Sequence, residues 1–259
     1  MRIKKSSFWG KIPNWVWLLI SIVVAVILWV VASNVASLVF ASPAKTFERL
    51  ITKASDGTLW AHIGISLFRV VLGFGLAFVA SIPMAFLMAW YEPFRHVVEP
   101  WIQFLRNIPP LAYIPLVIVG AGVGEPSKII VLFIACFLTM VVTIYQGVKG
   151  VDTTLLKAAR VLGANERDIF FKVVIPASTP FILVATRLGL SVALTTLIAA
   201  ELTGASKGLG TMIQRAGGTL DMGTVLMGII VVGIIGLLFE QIVKFMERRL
   251  TGWQETAVQ

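Results

Sequence analysis

An all-α membrane protein with six transmembrane helices is the fold class this sequence predicts, on three observations. Of its 259 residues 58% are hydrophobic and 14% charged, whereas soluble domains hold roughly 45 to 50% apolar and about 25% charged residues. The charges are clumped: the 33 positions between Lys11 and Lys45 carry no Asp, Glu, Lys or Arg, and a bilayer core needs only about 20 such residues. Ten-residue segments of alternating polarity, the mark of a membrane barrel, are missing, and a helix is the other way to satisfy every backbone polar group in hydrocarbon. The single Cys136 excludes a disulfide framework and a cage of several thiolates around zinc. A net charge of +9 is concentrated beside apolar runs, the habit of cytoplasmic flanks, so the expected partner is membrane lipid and not nucleic acid.

Taken in order, the charge-poor stretches place spans at 15–40, 70–90, 108–123, 129–148, 177–200 and 222–243. The first is too long an apolar run for a removable signal peptide and is expected to be retained. The third is short and holds Pro109, Pro110 and Pro115, which remove backbone donors and break or kink it. An even number of spans puts both termini on one side, and Arg2, Lys4, Lys5 and Lys11 make that side the cytoplasm. Fourteen of the 22 basic residues then fall on inner segments and seven on outer ones, with Arg187 inside the fifth span. The first outer segment, with Lys45, Arg49, Lys53 and Arg69, is the weakest point of this assignment. Trp9, Trp15, Trp17, Trp90, Trp101 and Trp253 fall near inner span ends, as aromatic belts do. Residues 44–55 form either a short amphipathic outer helix or a solvated connector. The whole chain, 1–259, is expected to be one membrane domain: an inner segment 1–14, a first span region 15–43, a core 44–243 containing a polar segment 149–176, and an inner tail 244–259.

Segment 149–176 is too organised for a passive connector. Asp152 can cap a helix through Leu155, Leu156, Ala158 and Ala159 to Leu162, and Gly163 supplies the permissive residue at its end. Asn165 can cap a second short helix over 166–172, with Glu166 and Asp168 in the first turn. Ala159 and Gly163 lie four apart, so a bulky partner could approach that face closely. An ordinary helical hairpin is the plainer reading.

Here the residues carry a resemblance. Lys157, Ala158 and Ala159, then Gly163 after three residues, then Val173, Val174, Ile175 and Pro176 after nine more, resemble the cytoplasmic signature of permease subunits of ATP-binding-cassette (ABC) importers. That signature reads Glu-Ala-Ala, three residues, Gly, nine residues, Ile, any residue, Leu-Pro. Lys157 stands for the acid, Val173 for Ile and Ile175 for Leu. The resemblance implies a type I ABC importer permease fold in which Lys157, Ala158, Ala159, Gly163, Ile175 and Pro176 couple the spans to an ATPase subunit.

Further segments resemble the nitrate, sulfonate, taurine and bicarbonate branch of these permeases, and taurine-type members most. They are the run from Leu105 and Arg106 through Pro109, Pro110, Tyr113 and Pro115 to Leu116, with Gly124, Glu125, Ser127 and Lys128. To these add Arg187 to Leu190, Ala199 to Leu202, Gly208 to Gly210, and Ser66 to Arg69 with Gly73. Gly120-Ala121 and Leu194 replace the aromatic residues of those relatives. The implied function is passage of a small solute, taurine, an alkanesulfonate or a related organic anion, by alternating access. Nitrate, bicarbonate or a pyrimidine-precursor-like solute is the alternative, and an ion-coupled secondary transporter the alternative of another class. The implied partners are ABC ATPase subunits, an extracytoplasmic substrate-binding protein and a second permease copy. ATP and magnesium would reside in the ATPase, since this chain has no phosphate-cradling loop and no metal-ligand spacing around His62 or His96.

The candidate pathway residues are Arg106, Pro109, Pro110, Tyr113, Arg187, Leu194 and Glu201. Arg187 facing hydrocarbon would cost roughly 2.5 to 3.5 kcal/mol, so it faces protein or water. It is either an anion-attracting group or the partner of a carbonyl or carboxylate on a neighbouring helix. Glu201, 14 residues on, lies about 40° from the same helical face. It is either a gate hydrogen bond or the partner of Lys207 or Arg215. Thr139, Thr143, Thr195 and Thr196 present hydroxyls inward or bond back to their own helices.

Overall fold

The computed structural model describes residues 13–250, so the basic cluster from Arg2 to Lys11, Trp9 and Trp253 lie outside the described residues. Every regular element within that range is helical. Five helices are long and apolar enough to cross a membrane, and a sixth span exists only if a bent pair is counted as one.

The chain divides into two compact units. In the first, residues 13–59 with 212–229, α1 (Asn14–Val35) is apolar all round and exposed along almost its whole length. A helix with no polar face and no buried face has lipid as its neighbour. Trp29 Nε1 donates to the Ala41 carbonyl at 3.0 Å and ties the end of α1 to the turn that follows. The amphipathic helix expected at 44–55 is present as α2 (Pro43–Ser55), with Ser42 capping the Lys45 amide at 3.3 Å and Pro43 at the first helical position. Arg49 on α2 pairs with Asp221 at 3.3 Å. Burial raises the Asp221 pKa, but hydrogen bonds from Thr224 together with Arg49 outweigh it and hold the carboxyl below its ordinary range.

The second unit, residues 60–211 with 230–250, is built on an antiparallel pair, α6 (Glu125–Lys149) and α9 (Ile175–Leu202), which pack extensively on each other. Between them they supply Leu132, Cys136, Met140, Ile144, Ala185, Ala193 and Leu197, all buried. Most of α3 (Thr58–Trp90) and the later part of α11 (Met222–Leu250) belong to this unit as well.

Two expectations need correction. Segment 92–106, to which the sequence reading assigned a side and no secondary structure, is a 15-residue helix, α4 (Glu92–Arg106). It is followed by a 3₁₀ turn, Pro110–Tyr113, and the eight-residue α5 (Ile114–Ala121). The two helical arms meet at 97°, and neither is long enough to cross a membrane by itself: the pair is a broken span or a re-entrant loop. The cause was visible: Pro109 and Pro110 lack amide donors, and the Tyr113 hydroxyl instead bonds the Leu105 carbonyl at 2.8 Å across the break. The second correction concerns 166–176. One α-turn, α8 (Glu166–Asp168), runs through a π-helical stretch, Ile169–Val174, directly into α9, giving one helix of 37 residues. Pro176 does not stop it, because the widened π-turn has already displaced the hydrogen-bond ladder and Pro176 falls at the start of the next α-segment, where no donor is needed.

Candidate functional site

Because α6 and α9 run antiparallel, the Lys149 end of one meets the Ile175 end of the other, and segment 149–176 joins them there. Asp152 accepts from the Thr154 amide at 2.7 Å and starts α7 (Thr153–Val161). Hydrogen bonds from Thr154 hold the Asp152 carboxyl below its ordinary range. The helix ends at Gly163, whose φ of +82° is one that L side chains rarely adopt. Asn165 then accepts from the Asp168 amide at 2.8 Å and opens α8, as its position suggested. Arg160 reaches Glu166 at 3.2 Å and closes the corner.

The faces of α7 are unequal. Leu156 and Ala159 turn toward the core of their own unit, while Leu155, Lys157, Ala158 and Gly163 are exposed. Val161 is 87% and Leu162 86% exposed. Ala159 is therefore half-buried against its own chain, and the outward surface is carried by Ala158, Val161, Leu162 and Gly163. Ile175 and Pro176 are half-buried where the π-turn enters α9.

At the opposite end of the same helix pair lies a cluster that the sequence reading did not assemble. Arg69, in α3, and Glu201, near the end of α9, are both 0% exposed. Arg69 Nη1 donates to Glu201 Oε1 at 2.7 Å and to the Lys207 carbonyl at 2.9 Å. Its Nε and Nη2 grip both oxygens of Glu125, the first residue of α6, at 2.6 and 2.7 Å. This is the bidentate fork that suits guanidinium to carboxylate. Ser66 donates to Glu201 Oε1 at 2.6 Å and accepts from the Leu209 amide at 2.9 Å. The Gly210 amide donates to Glu201 Oε2 at 2.7 Å. The Gly208 amide donates to His62 Nδ1 at 2.9 Å. Gly208 has φ +141°, and a Cβ there would run into the Glu201 carboxylate. Glu201 thus pairs with Arg69 and not with the side chain of Lys207 or Arg215; Lys207 contributes only its carbonyl. Beside the fork, Lys128 is buried and its ammonium donates to the Gly124 carbonyl at 2.9 Å.

One signal for Arg69 was available. Ser66 and Arg69 stand three apart on one helical face inside an apolar run, where a cation without a partner is expensive. The remaining candidates are separate. Arg187 pairs with Glu247 on α11 at 2.5 Å, a carboxylate on a neighbouring helix, and its Nε is buried with no hydrogen-bond partner among the described residues. Arg106 is exposed at the last turn of α4, Pro109 and Pro110 form the break, and Tyr113 is half-buried. Leu194 is half-buried on α9. Thr139, Thr143 and Thr195 bond back to carbonyls of their own helices.

Residues 77–252 match the family described as the binding-protein-dependent transport system inner membrane component. The chain belongs to that family. It is a subunit of an ABC importer and a multi-pass protein of the inner membrane. A probable ABC transporter permease protein of Brucella abortus is 46% identical over 92% of this chain and 96% of its own length. The taurine transport system permease protein of Escherichia coli K12 is 38% identical over 87% of this chain and 84% of its own. Permeases of aliphatic-sulfonate and nitrate systems also match, so the permease falls in the taurine, sulfonate and nitrate branch. Its fold is that of type I importer permeases: a chain of the MetNI methionine ABC transporter, in an inward-facing form, matches 75% of it and 96% of its own length with a TM-score of 0.67 at 20% identity.

Proposed function

We propose that the permease carries a small organic anion of the taurine or alkanesulfonate class, working as a pair of copies with two ABC ATPase subunits and an extracytoplasmic binding protein. The observation that carries the ATPase contact is the outward surface of α7. Ala158, Val161, Leu162 and Gly163 put small and apolar residues into solvent on a segment joining two membrane helices, and an apolar patch of that kind marks a place where another protein sits. Lys157 stands beside it where the family carries an acid. The solute class is supported by the taurine permease of Escherichia coli, 38% identical to this chain.

In this mechanism both termini and α7 face the cytoplasm. The ATPase partner would hold ATP and magnesium and supply the closing movement, which α7 passes through the π-turn to α9. A solute pathway then opens alternately to either side, which requires the ATP-bound ATPase to favour one of the two states. The broken span around Pro109, Pro110 and Tyr113, with Arg106 before it, is the segment assigned to the pathway, since irregular backbone at membrane depth is tolerated where it lines a cavity or is buried. Leu194 is assigned there too. Arg187 and Glu201 are assigned to holding helices in register through their carboxylate and guanidinium partners.

The test is purification of the chain in mild detergent from its native membrane, followed by uptake in vesicles. An ATPase should co-purify, and labelled taurine should enter only with ATP and a binding protein. Uphill uptake by vesicles holding this chain alone would overturn the reading. Competition by nitrate but not by alkanesulfonates would move the solute class.

A further inference from the structure

Beside the π-turn the second unit holds a preformed apolar cavity of about 450 Å³. Phe86, Leu87 and Trp90, from the last two turns of α3, form one wall, and Phe170 and Phe171 form the other. The walls are braced: Phe170 meets Phe86 edge-on at 5.6 Å and Trp90 at 5.0 Å. Leu87, Trp90 and Phe171 are all exposed. Two charged residues, Glu166 and Arg167, are part of the lining. The acidic neighbours of Arg167 are taken, Glu166 by Arg160 at 3.2 Å and Asp168 by Lys172 at 2.6 Å, so among the described residues the guanidinium of Arg167 has no ion pair.

We infer that this cavity is a binding site for an anionic phospholipid, with an acyl chain between Leu87, Trp90 and Phe171 and the headgroup phosphate on Arg167. Two observations select lipid over a protein partner. The apolar wall continues the membrane-spanning apolar run of α3, so its occupant reaches membrane depth, where the neighbouring molecules are acyl chains. Trp90 at the end of α3 and Tyr91 just after it, then the cation at Arg167, follow the order in which a lipid passes from tail through interface to headgroup. The site lies on the joint between α7 and α9, apart from the proposed solute pathway, and its test does not depend on transport.

The full chain is placed in nanodiscs of phosphatidylcholine containing a minor fraction of either brominated phosphatidylglycerol or brominated phosphatidylcholine. The Trp90 contribution to fluorescence is taken as the difference between wild type and Trp90→Phe. Brominated phosphatidylglycerol should quench it about fivefold more effectively, the weight of one arginine near an anionic headgroup. Arg167→Gln should bring the two lipids level, and Arg167→Lys should keep the preference. Phosphatidylglycerol carried through native mass spectrometry gives an independent readout and should fall in Arg167→Gln. Equal quenching by both lipids in wild type, no quenching by either, or an undiminished preference in Arg167→Gln would each overturn the assignment.

Discussion

The two ends of the α6–α9 pair treat charge and apolar surface in opposite ways. At the Glu125 and Leu202 end, Arg69 and Glu201 are wholly enclosed and every polar atom of the fork has a named partner. At the Lys149 and Ile175 end, the pairs Arg160–Glu166 and Lys172–Asp168 stand largely in solvent, and Val161 and Leu162 are exposed as well. A buried ion pair is costly to assemble and costlier to break, because removing one partner strands the other. An exposed pair contributes little, and exposed apolar residues gain only when something covers them. One end is therefore complete in itself, tying α3, α6, α9 and segment 207–210 together. The other is left unfinished for a partner.

The sharpest way to break this contrast is to truncate the charge at each end. Arg69→Met leaves Glu125 and Glu201 without their cation and should cost about 3 to 5 kcal/mol, seen as a large loss of folded protein and a lower Tm in detergent. Arg160→Ala should cost less than about 1 kcal/mol. Equal effects would erase the distinction. Next in size comes Gly208→Ala. With φ +141° and the Glu201 carboxylate in the way of a Cβ, it should lower stability by about 1 to 3 kcal/mol, and a Tm within error of wild type would show that the turn tolerates a side chain.

Gly163→Ala sharpens the comparison from the other side. Its φ of +82° gives a strain of about 1 to 2 kcal/mol, but among the described residues no atom beyond its chain neighbours lies within 4 Å of the added methyl. The chain should still insert at near-normal yield, and the effect should fall on the ratio of ATP hydrolysed to solute carried in reconstituted vesicles. An unchanged ratio for Gly163→Ala, and for a bulkier residue at the same place, would remove the contact from this surface. The smallest effect belongs to Asp152. Its carboxyl is held below the ordinary range by Thr154, so its cap is present above the unfolded-state pKa and is lost only as pH falls through the lowered folded value. Between pH 6 and 8, on the order of neutrality and well above the free carboxyl's value of about 3.9, amide exchange at Thr154 should not respond to the cap's titration. Asp152→Ala should speed that exchange several-fold, and Asp152→Asn should leave it close to wild type.

How legible these regions were differs for a physical reason. The caps at Asp152 and Asn165, the turn at Gly163 and the break at Pro109 and Pro110 depend on atoms within about four residues along the chain, so their spacing announces them. In the sequence Glu201 is a carboxylate with Lys207 and Arg215 as candidate partners, and Arg69 counts as an outer flanking charge. The structure makes Arg69 a buried counter-ion, 132 residues from its partner, which removes it from the charge count and leaves the outer segments less basic than they had looked.

By itself, then, the sequence determined the helical class, the apolar stretches that become spans, the amphipathic α2 and the start and stop of α7, since each follows from local hydrogen bonding or from the period of apolar residues. Only the tertiary structure decided that Arg69 serves both Glu125 and Glu201, that Arg187 leans on Glu247, that Ala159 faces inward, and that a π-turn fuses 166–174 to the fifth span. Those outcomes depend on which faces of distant helices meet, and a periodic pattern states that a face is apolar or charged without stating what it will meet.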